Sequence, residues 1–191
     1  EKATKQTELQ QLKKQINPHF LFNMLNNANI LVKDAPDEAS QILEKLDNLL
    51  RYQLNDSTRR EVFLTADIQF LTSFLELEKV RRDHFEYTIF QEGNMENICI
   101  PPLLFIPFVE NAVKHNLDSD NLSYVHLYFS VHNKQLTFRC ENSKPRVPVK
   151  REGGIGLANV KRRLDLLYES RYTLQIEDKE TTYNVNLHLN L

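Results

Sequence analysis

Residues 9–31 have the sequence LQQLKKQINPHFLFNMLNNANIL, in which apolar side chains recur every three or four positions. This period places them on one side of an α-helix. The helix should end near Asp34, because Pro36 disfavours helical geometry in the residue before it. A second apolar-periodic segment follows up to Leu54. The pattern predicts an antiparallel helical hairpin, whose apolar stripe a second copy would cover in a homodimeric four-helix bundle.

Beyond a polar linker at residues 55–60, the periodicity changes. A third helix is predicted from Thr65, as its N-cap, to about Arg82. Alternating and helical patterns then predict a strand at 85–91, a helix at 102–116, a hairpin of strands 124–131 and 135–142, a helix at 156–169, and a hairpin of strands 172–177 and 182–189. This order indicates an α+β fold with helices packed on one face of a mixed sheet.

Composition excludes several classes of protein. The formal net charge of -2 gives no electrostatic reason to expect binding to nucleic acid. The uncharged run at residues 97–109 contains three prolines and is far shorter than the roughly 20 apolar residues of a membrane-spanning helix. Cys99 and Cys140 lie far apart in apolar stretches. They are predicted to be buried free thiols rather than a disulfide or a zinc site, which indicates a reducing compartment.

The segment from Gln15 to Asn23, QINPHFLFN, is the most unusual part of the first helix. Pro18 inside a helix removes a backbone hydrogen bond and typically costs about 3 kcal/mol. Gln15, His19 and Asn23 follow each other at i, i+4 spacing, which predicts one stripe beside the apolar face. A neutral imidazole whose second nitrogen is held by a neighbour such as Asn23 is a nucleophile. Taken alone, a surface histidine beside a structural kink is the more common explanation.

Residues 107–116, PFVENAVKHN, predict a second chemical cluster. On a helix, Glu110 and Lys114 share one side, and Asn111 and His115 share the neighbouring side. An acid, an amide oxygen and a cation are the groups that phosphoryl transfer needs, as an orienting carboxylate, a magnesium ligand and a positive charge at the phosphates. A solvated polar helix face explains the same pattern equally well.

The third cluster is GGIGLAN at residues 153–159, which holds three of the four glycines of the chain. Glycines directly before a helix let backbone N–H groups approach an anion, so the segment predicts a phosphate-binding turn. A simple helix-entry turn is an equally good explanation. The P-loop pattern is absent, since no Gly-Lys-Ser/Thr follows, and the cluster does not directly follow a strand as a Rossmann fingerprint would. Arg162 and Arg163 are expected at the surface, although one of them would be able to reach phosphates.

In their order along the chain, these three clusters resemble the LytS/YehU-type sensor histidine kinases, whose phosphoacceptor segment is close to QINPHFLFN. The resemblance implies that His19 is phosphorylated from ATP and that residues 1–60 form the dimerisation and histidine phosphotransfer hairpin. It implies a GHKL-type ATP-binding α/β sandwich at residues 61–191. Asn111 matches the family's magnesium ligand and Glu110 the adjacent catalytic acid. The remaining nucleotide-binding positions implied are Lys114, His115, Gly154, Gly156 and Leu157.

One position departs from the family pattern. Relatives have an aspartate that accepts a hydrogen bond from the adenine amino group at the end of the strand before the lid, and Asn142 stands at that place here. An amide oxygen still accepts this bond but loses its charge-assisted component, a difference of about 1 to 2 kcal/mol. ATP binding is therefore expected to be weak, and the lid of residues 144–153 is expected to be short. Phe20 occupies the place where many other histidine kinases carry an acid, so proton removal should use Asn23, Glu110 or water.

The leading hypothesis is a homodimeric protein-histidine kinase that uses ATP and Mg²⁺ to phosphorylate His19 and passes the phosphoryl group to a response-regulator aspartate. The resemblance implies a cytoplasmic domain of a longer protein anchored in the bacterial inner membrane. A pseudokinase, a dimeric signalling scaffold with weak or no nucleotide binding, is the alternative that Asn142 favours. An ATPase of the chaperone or mismatch-repair type is disfavoured, because it leaves the Pro18-His19 segment unexplained.

Overall fold

The structure, a computed structural model, describes residues 18–118, 121–146 and 155–191. The chain forms two compact units. We call residues 18–83 with 97–104 the helical unit, and residues 84–96 with 105–191 the sheet unit. Each unit is interrupted in sequence, because the chain enters the sheet unit, returns to the helical unit for eight residues, 97 to 104, and then leaves it again.

The helical unit begins with the predicted hairpin. Helix α1 spans Pro18–Leu31, and helix α2 spans Pro36–Leu54. Pro36 lies in the first turn of α2, where the missing N–H costs no helical hydrogen bond. Met24 of α1 and Leu49 of α2 are fully buried. The two-helix prediction is confirmed for the described residues, while the part of the first helix that was predicted before Pro18 lies outside them.

A third helix, α3 at Leu64–Arg81, packs on this hairpin. The Phe74 ring of α3 lies 5.0 Å from the Phe20 ring of α1, measured between centroids. The predicted N-cap at Thr65 is wrong, since the helix starts at Leu64 and its N-cap is Phe63, two residues earlier. The reason is that the Leu64 amide donates to the carbonyl of Ile98 at 2.8 Å, so the first turn is satisfied by backbone rather than by a threonine side chain.

A short antiparallel ribbon closes the helical unit. Strand β1 is Val62–Phe63 and strand β3 is Cys99–Ile100, with Val62 opposite Ile100. Ile100 is fully buried, whereas Cys99 is exposed because neighbouring residues of a strand point to opposite sides. The prediction of free thiols is confirmed for both cysteines, but the predicted burial of Cys99 is wrong. Cys140 is buried, and burial raises its pKa to about 12.

The sheet unit contains five strands in the order β2-β4-β5-β7-β6. They are β2 Phe85–Gly93, β4 Ser123–His132, β5 Gln135–Ser143, β6 Tyr172–Asp178 and β7 Thr182–Asn190. The β2–β4 pair is parallel and the other pairs are antiparallel, so the sheet is mixed. At the last β2–β4 register position, Gly93 has a φ of 87° and faces Val131. A Cβ at Gly93 would lie 2.2 Å from the Val131 carbonyl oxygen, which excludes any side chain there.

Helices α4 (Ile106–His115) and α5 (Ile155–Tyr168) contact each other, and α4 packs against β4 and β5. The ring centroid of Phe105 lies 5.3 Å from that of Phe129 and 4.6 Å from that of Phe138. Helix α4 starts at Ile106, not at Pro102 as predicted. Residues 101–105 form turns instead, and Leu103 has a φ of 56°, a left-handed geometry that cannot continue a right-handed helix.

The predicted fold class is confirmed, because N-terminal helices precede a mixed five-stranded sheet with helices on one face. The functional boundary at residue 60 and the four-helix bundle of a dimer stay predictions. Among the residues that the structure describes, no helix is both long enough and apolar enough to span a membrane.

Candidate functional site

The predicted phosphoacceptor lies in the first turn of α1. The backbone of Pro18 and His19 is helical there. The side chains of both residues, and the predicted kink with Gln15, lie outside what the structure describes. Asn23 follows His19 by four positions on the same helix and is half-buried. This spacing puts the two positions on one side of α1, as the sequence predicted.

Helix α4 separates its polar and apolar residues as expected. Val109, Ala112 and Val113 are buried. The polar positions differ in exposure, with Lys114 exposed and Glu110, Asn111 and His115 half-buried. The structure therefore brings the acid, the amide and the cation to the side of α4 that does not form the core, which is the arrangement that the sequence predicted.

Glu110 is electrostatically unusual. Its burial raises the pKa of its carboxyl group to about 7, from an ordinary value of 4.5. Desolvation disfavours the charged form, and that is the physical cause of the shift. A carboxyl group with a pKa near neutrality is able to exchange a proton at cellular pH, as general acid–base chemistry requires.

Asn142 lies at the end of β5, opposite Val125 of β4 and Tyr183 of β7. Its side chain is 1% exposed and belongs to the alternating buried row of β5 that also contains Phe138 and Cys140. The Asn142 Nδ2 donates to the Ser143 carbonyl at 2.8 Å. The amide is thus held in place on the helix-covered side of the sheet, with its nitrogen used inside the protein.

The start of the segment after Asn142 is fixed to the neighbouring hairpin. Lys144 Nζ contacts Asp178 Oδ1 at 2.8 Å and donates to the Lys179 carbonyl at 2.6 Å. The Lys144 amide donates to the Thr181 carbonyl at 2.8 Å. The lid predicted at residues 144–153 is therefore anchored at its first residue. From residue 147 onward it lies outside the described residues.

The glycine cluster is described only in part. Helix α5 begins at Ile155, so the backbone of Gly156 is in its first turn, and Leu157 is half-buried. The helix starts inside the cluster, which agrees with the predicted position of this segment at a helix N-terminus. Gly153 and Gly154 lie outside the described residues, so the phosphate-binding role of the cluster stays a prediction.

Two of the buried polar residues that the sequence did not predict lie at the end of α4 and in α5. Asn116, at the end of α4, is fully buried, and its Nδ2 donates to the Tyr124 carbonyl of β4 at 3.0 Å. Arg163 of α5 is only 4% exposed, so its expected surface position is wrong, whereas Arg162 is exposed. Arg163 follows Val160 by three positions on the inward side of α5, and this spacing was the signal available in the sequence.

The donor set on α4 suits a magnesium–nucleotide rather than a metal ion held by protein groups alone. No group of three or more His, Cys, Asp or Glu side chains suited to a metal ion occurs among the described residues. Mg²⁺ in nucleotide sites takes one or two protein oxygens and completes its shell with water and phosphate oxygens. A single amide oxygen from Asn111 beside the Glu110 carboxyl group fits that kind of site.

Comparisons with known proteins agree with these observations. A family model described as histidine kinase matches residues 7–85. Sensor protein LytS of Staphylococcus haemolyticus is 30% identical over 98% of this chain and 35% of its own length. Sensor histidine kinase YpdA of Escherichia coli is 33% identical over 58% of this chain and 20% of its own length.

A solved structure has the same fold. The histidine kinase domain of the Erythrobacter litoralis EL346 blue-light activated histidine kinase has a TM-score of 0.53 at 16% identity, and covers 99% of this chain and 93% of that domain. This chain spans about a third of the length of the LytS relative and about a fifth of that of YpdA. Residues 7–85 therefore match the histidine kinase family model, and over nearly its whole length the chain is similar to the LytS-type sensor histidine kinases.

Proposed function

We propose that this chain is the catalytic core of a sensor histidine kinase that phosphorylates His19 from ATP and then donates the phosphoryl group to a response-regulator aspartate. The observation that carries the proposal is the polar side of α4, where Glu110, Asn111 and Lys114 lie opposite a row of buried residues. Positioning and charge neutralisation account for most of the catalysis of phosphoryl transfer, and these residues supply both.

In the proposed reaction, one imidazole nitrogen of His19 forms a bond to the γ-phosphorus of ATP, in line with the breaking bond to the β–γ bridging oxygen, and ADP leaves. Asn23 holds the second ring nitrogen through its amide and so fixes the tautomer. The proton of the ring passes to the Glu110 carboxylate or to water. The Asn111 amide oxygen would hold Mg²⁺, which would neutralise charge on the triphosphate when bound.

The other nucleotide contacts follow the family pattern. Lys114 and His115 extend the polar side of α4 toward the phosphates, and the backbone N–H groups of Gly154, Gly156 and Leu157 are assigned to phosphate binding by the family pattern. The Asn142 Oδ1 is the acceptor for the adenine amino group. The hydrogen bond from its Nδ2 to Ser143 supports this role, because the nitrogen is already used within the protein.

A homodimer is supported by the outer surface of the hairpin. Phe22 and Leu25 of α1 and Val32, just after its end, are 71%, 50% and 52% exposed, and they follow a spacing of three and seven residues. Leu43, Leu50 and Leu54 of α2 are 46%, 36% and 69% exposed at a spacing of seven and four. Apolar stripes at this spacing are typical of helices that pack against other helices. We propose that a second copy of this chain packs on these apolar stripes and completes a four-helix bundle.

The remaining length of such a relative leaves room for a sensor region. Since this chain spans 35% of the LytS relative, we place it as the cytoplasmic part of a longer protein anchored in the bacterial inner membrane, where ATP and a response regulator are available.

The test is labelling with γ-³²P-ATP and magnesium. Wild-type protein should acquire an acid-labile, base-stable label, as a phosphoramidate does, and His19→Ala should remove it. His126→Ala is the matched control, because His126 is exposed on the sheet and should keep full labelling. Undiminished labelling of His19→Ala would refute the assignment. Transfer of the label to an added response-regulator receiver domain tests the second step.

A second candidate function is a dimeric signalling scaffold without useful kinase activity, and the observation that favours it is Asn142 in place of an aspartate. Calorimetric titration with ATP and magnesium decides between the two. Heat of binding that saturates below millimolar nucleotide supports the kinase, and no binding at millimolar nucleotide supports the scaffold.

A further inference from the structure

One carboxylate in the helical unit joins three distant parts of the chain. The Tyr52 hydroxyl group, near the end of α2, donates to Asp67 Oδ1 at 2.5 Å. The Leu103 amide donates to the same oxygen at 3.0 Å. Asp67 is fully buried and Tyr52 is 6% exposed. We call Tyr52, Asp67 and Leu103 the carboxylate clasp.

The clasp is chemically specific rather than a simple filling of the core. A buried carboxylate is costly unless donors and nearby positive charge stabilise it. Asp67 lies in the first turn of α3, where the helix dipole favours a negative charge, and it accepts from both clasp donors. Burial, and after it the neighbouring Asp67, raise the pKa of Tyr52, so this hydroxyl group keeps its proton and remains a donor.

The clasp lies where the chain leaves the helical unit. Residues 97–104 belong to that unit, and the sheet unit resumes at Phe105. The pairing of Val62 with Ile100 and the bond from the Leu64 amide to Ile98 hold the first half of this segment. The second half is held by Asp67, through a Leu103 backbone in the left-handed region at a φ of 56°.

The helix that follows this exit carries the proposed chemistry. Helix α4 begins at Ile106, three residues after Leu103, and includes Glu110 and Asn111. Aromatic contacts of Phe105 and Phe108 fix α4 on the sheet independently of the clasp. Loss of the clasp should therefore leave the nucleotide-binding residues in place and change only the backbone path of residues 101–105.

We propose that Tyr52 and Asp67 are positioning residues for phosphoryl transfer, which set the exit of the chain from the phosphoacceptor unit into α4 through the Leu103 amide. This inference rests on the proposed kinase function. It predicts that the clasp controls the rate of transfer to His19 at saturating ATP and leaves ATP affinity unchanged. A purely structural role predicts instead that activity falls only as far as folding does.

The test compares Tyr52→Phe and Asp67→Asn with the wild type. Tyr52→Phe keeps the ring that stacks on Phe70 at 4.7 Å and removes only the donor. Asp67→Asn keeps the size of the side chain and removes the charge. At saturating ATP, the labelling rate of each variant should fall by about tenfold or more, since small misplacements of reacting groups have effects of this size. The ATP dissociation constant should stay within about twofold, and hydrogen exchange at the Leu103 amide should become faster in Asp67→Asn.

Phe74→Leu is the control for a general loss of stability, because it weakens the contact with Phe20 inside the same unit. Its labelling rate should remain at the wild-type level at a temperature where it is folded. Wild-type rates in both clasp variants would overturn the inference, and so would a fall in rate matched by Phe74→Leu at equal thermal stability. An unlabelled wild type would overturn the proposed function and this inference together, which separates that result from a failure of the clasp alone.

Discussion

The Asn116 side chain connects the end of α4 to β4, because its Nδ2 donates to the Tyr124 carbonyl at 3.0 Å inside the protein. Asn116 directly follows Lys114 and His115, so its hydrogen bond holds the end of the helix that carries the proposed nucleotide contacts.

We expect Asn116→Ala to lower the free energy of unfolding by about 1 to 3 kcal/mol, the usual cost of leaving a buried polar group without its partner. Urea unfolding followed by circular dichroism measures this loss. Asn190→Ala, at an exposed position, is the control and should change stability little. Equal stability of the two variants would show that the Tyr124 contact contributes nothing.

We expect Asn142→Asp to tighten ATP binding by roughly 5- to 30-fold, which corresponds to about 1 to 2 kcal/mol for a charge-assisted bond to the adenine amino group. Isothermal titration calorimetry with ATP and magnesium measures the change. GTP provides the control, since a guanine carbonyl at the same place offers no donor and should gain nothing from the aspartate. Weaker ATP binding in Asn142→Asp would place the adenine elsewhere.

The stability of the nucleotide-free protein should depend on pH through Glu110. Its folded-state pKa of about 7 lies above the ordinary 4.5, so the folded protein holds the proton more tightly than the unfolded chain. The stabilisation from this proton is fully present below about pH 4.5 and is lost as the pH rises through 7. Glu110→Gln removes the titration and should be more stable than the wild type at pH 8 by on the order of 2 kcal/mol, with no difference near pH 4.5.

Denaturant unfolding at several pH values measures this difference between Glu110→Gln and the wild type. Glu180→Gln, at an exposed position on the β6–β7 turn, is the matched control and should follow the wild type at every pH. A constant difference between Glu110→Gln and the wild type would mean that the carboxyl group does not titrate in this range.

The dimer should depend on the apolar stripe of the hairpin. The double variant Phe22→Glu, Leu25→Glu introduces two charges per chain on that surface and should be monomeric in sedimentation equilibrium at concentrations where the wild type is dimeric. Phe90→Glu serves as the control, because Phe90 is 58% exposed on the sheet unit and its loss should leave the dimer intact. A dimer that persists in the double variant would place the interface on another surface.

The sequence predicted the elements that have a strong period. The apolar repeat through Met24 and Leu31, together with Pro36, was sufficient to predict the helical hairpin. The alternation of apolar and polar residues was sufficient to predict β4 and β5. The order of these elements then limited the fold to a mixed sheet with helices on one face, which the structure confirms.

The features that the sequence did not predict depend on partners distant in the chain. The β1–β3 ribbon consists of two-residue strands, too short for any period, and its pairing explains both the early start of α3 and the exposure of Cys99. The turn at Leu103 depends on Asp67, 36 residues earlier, and no local pattern marks that bond. At the site, the polar side of α4 was predictable from helical spacing, whereas the burial of Asn116 and Arg163 depends on packing against the rest of the sheet unit.

The interrupted composition of the two units constrains how the chain folds during synthesis. A nascent chain that has emerged only as far as Asp83 still lacks residues 97–104. It therefore lacks the buried Ile100 and the Leu103 amide, which donates a hydrogen bond to Asp67. The ribosome must first synthesise the whole of β2, which stays unpaired until its neighbour β4 has been synthesised. The helical unit therefore cannot reach its final packing before residues 97–104 have left the ribosome. We expect the two units to complete folding together rather than one after the other.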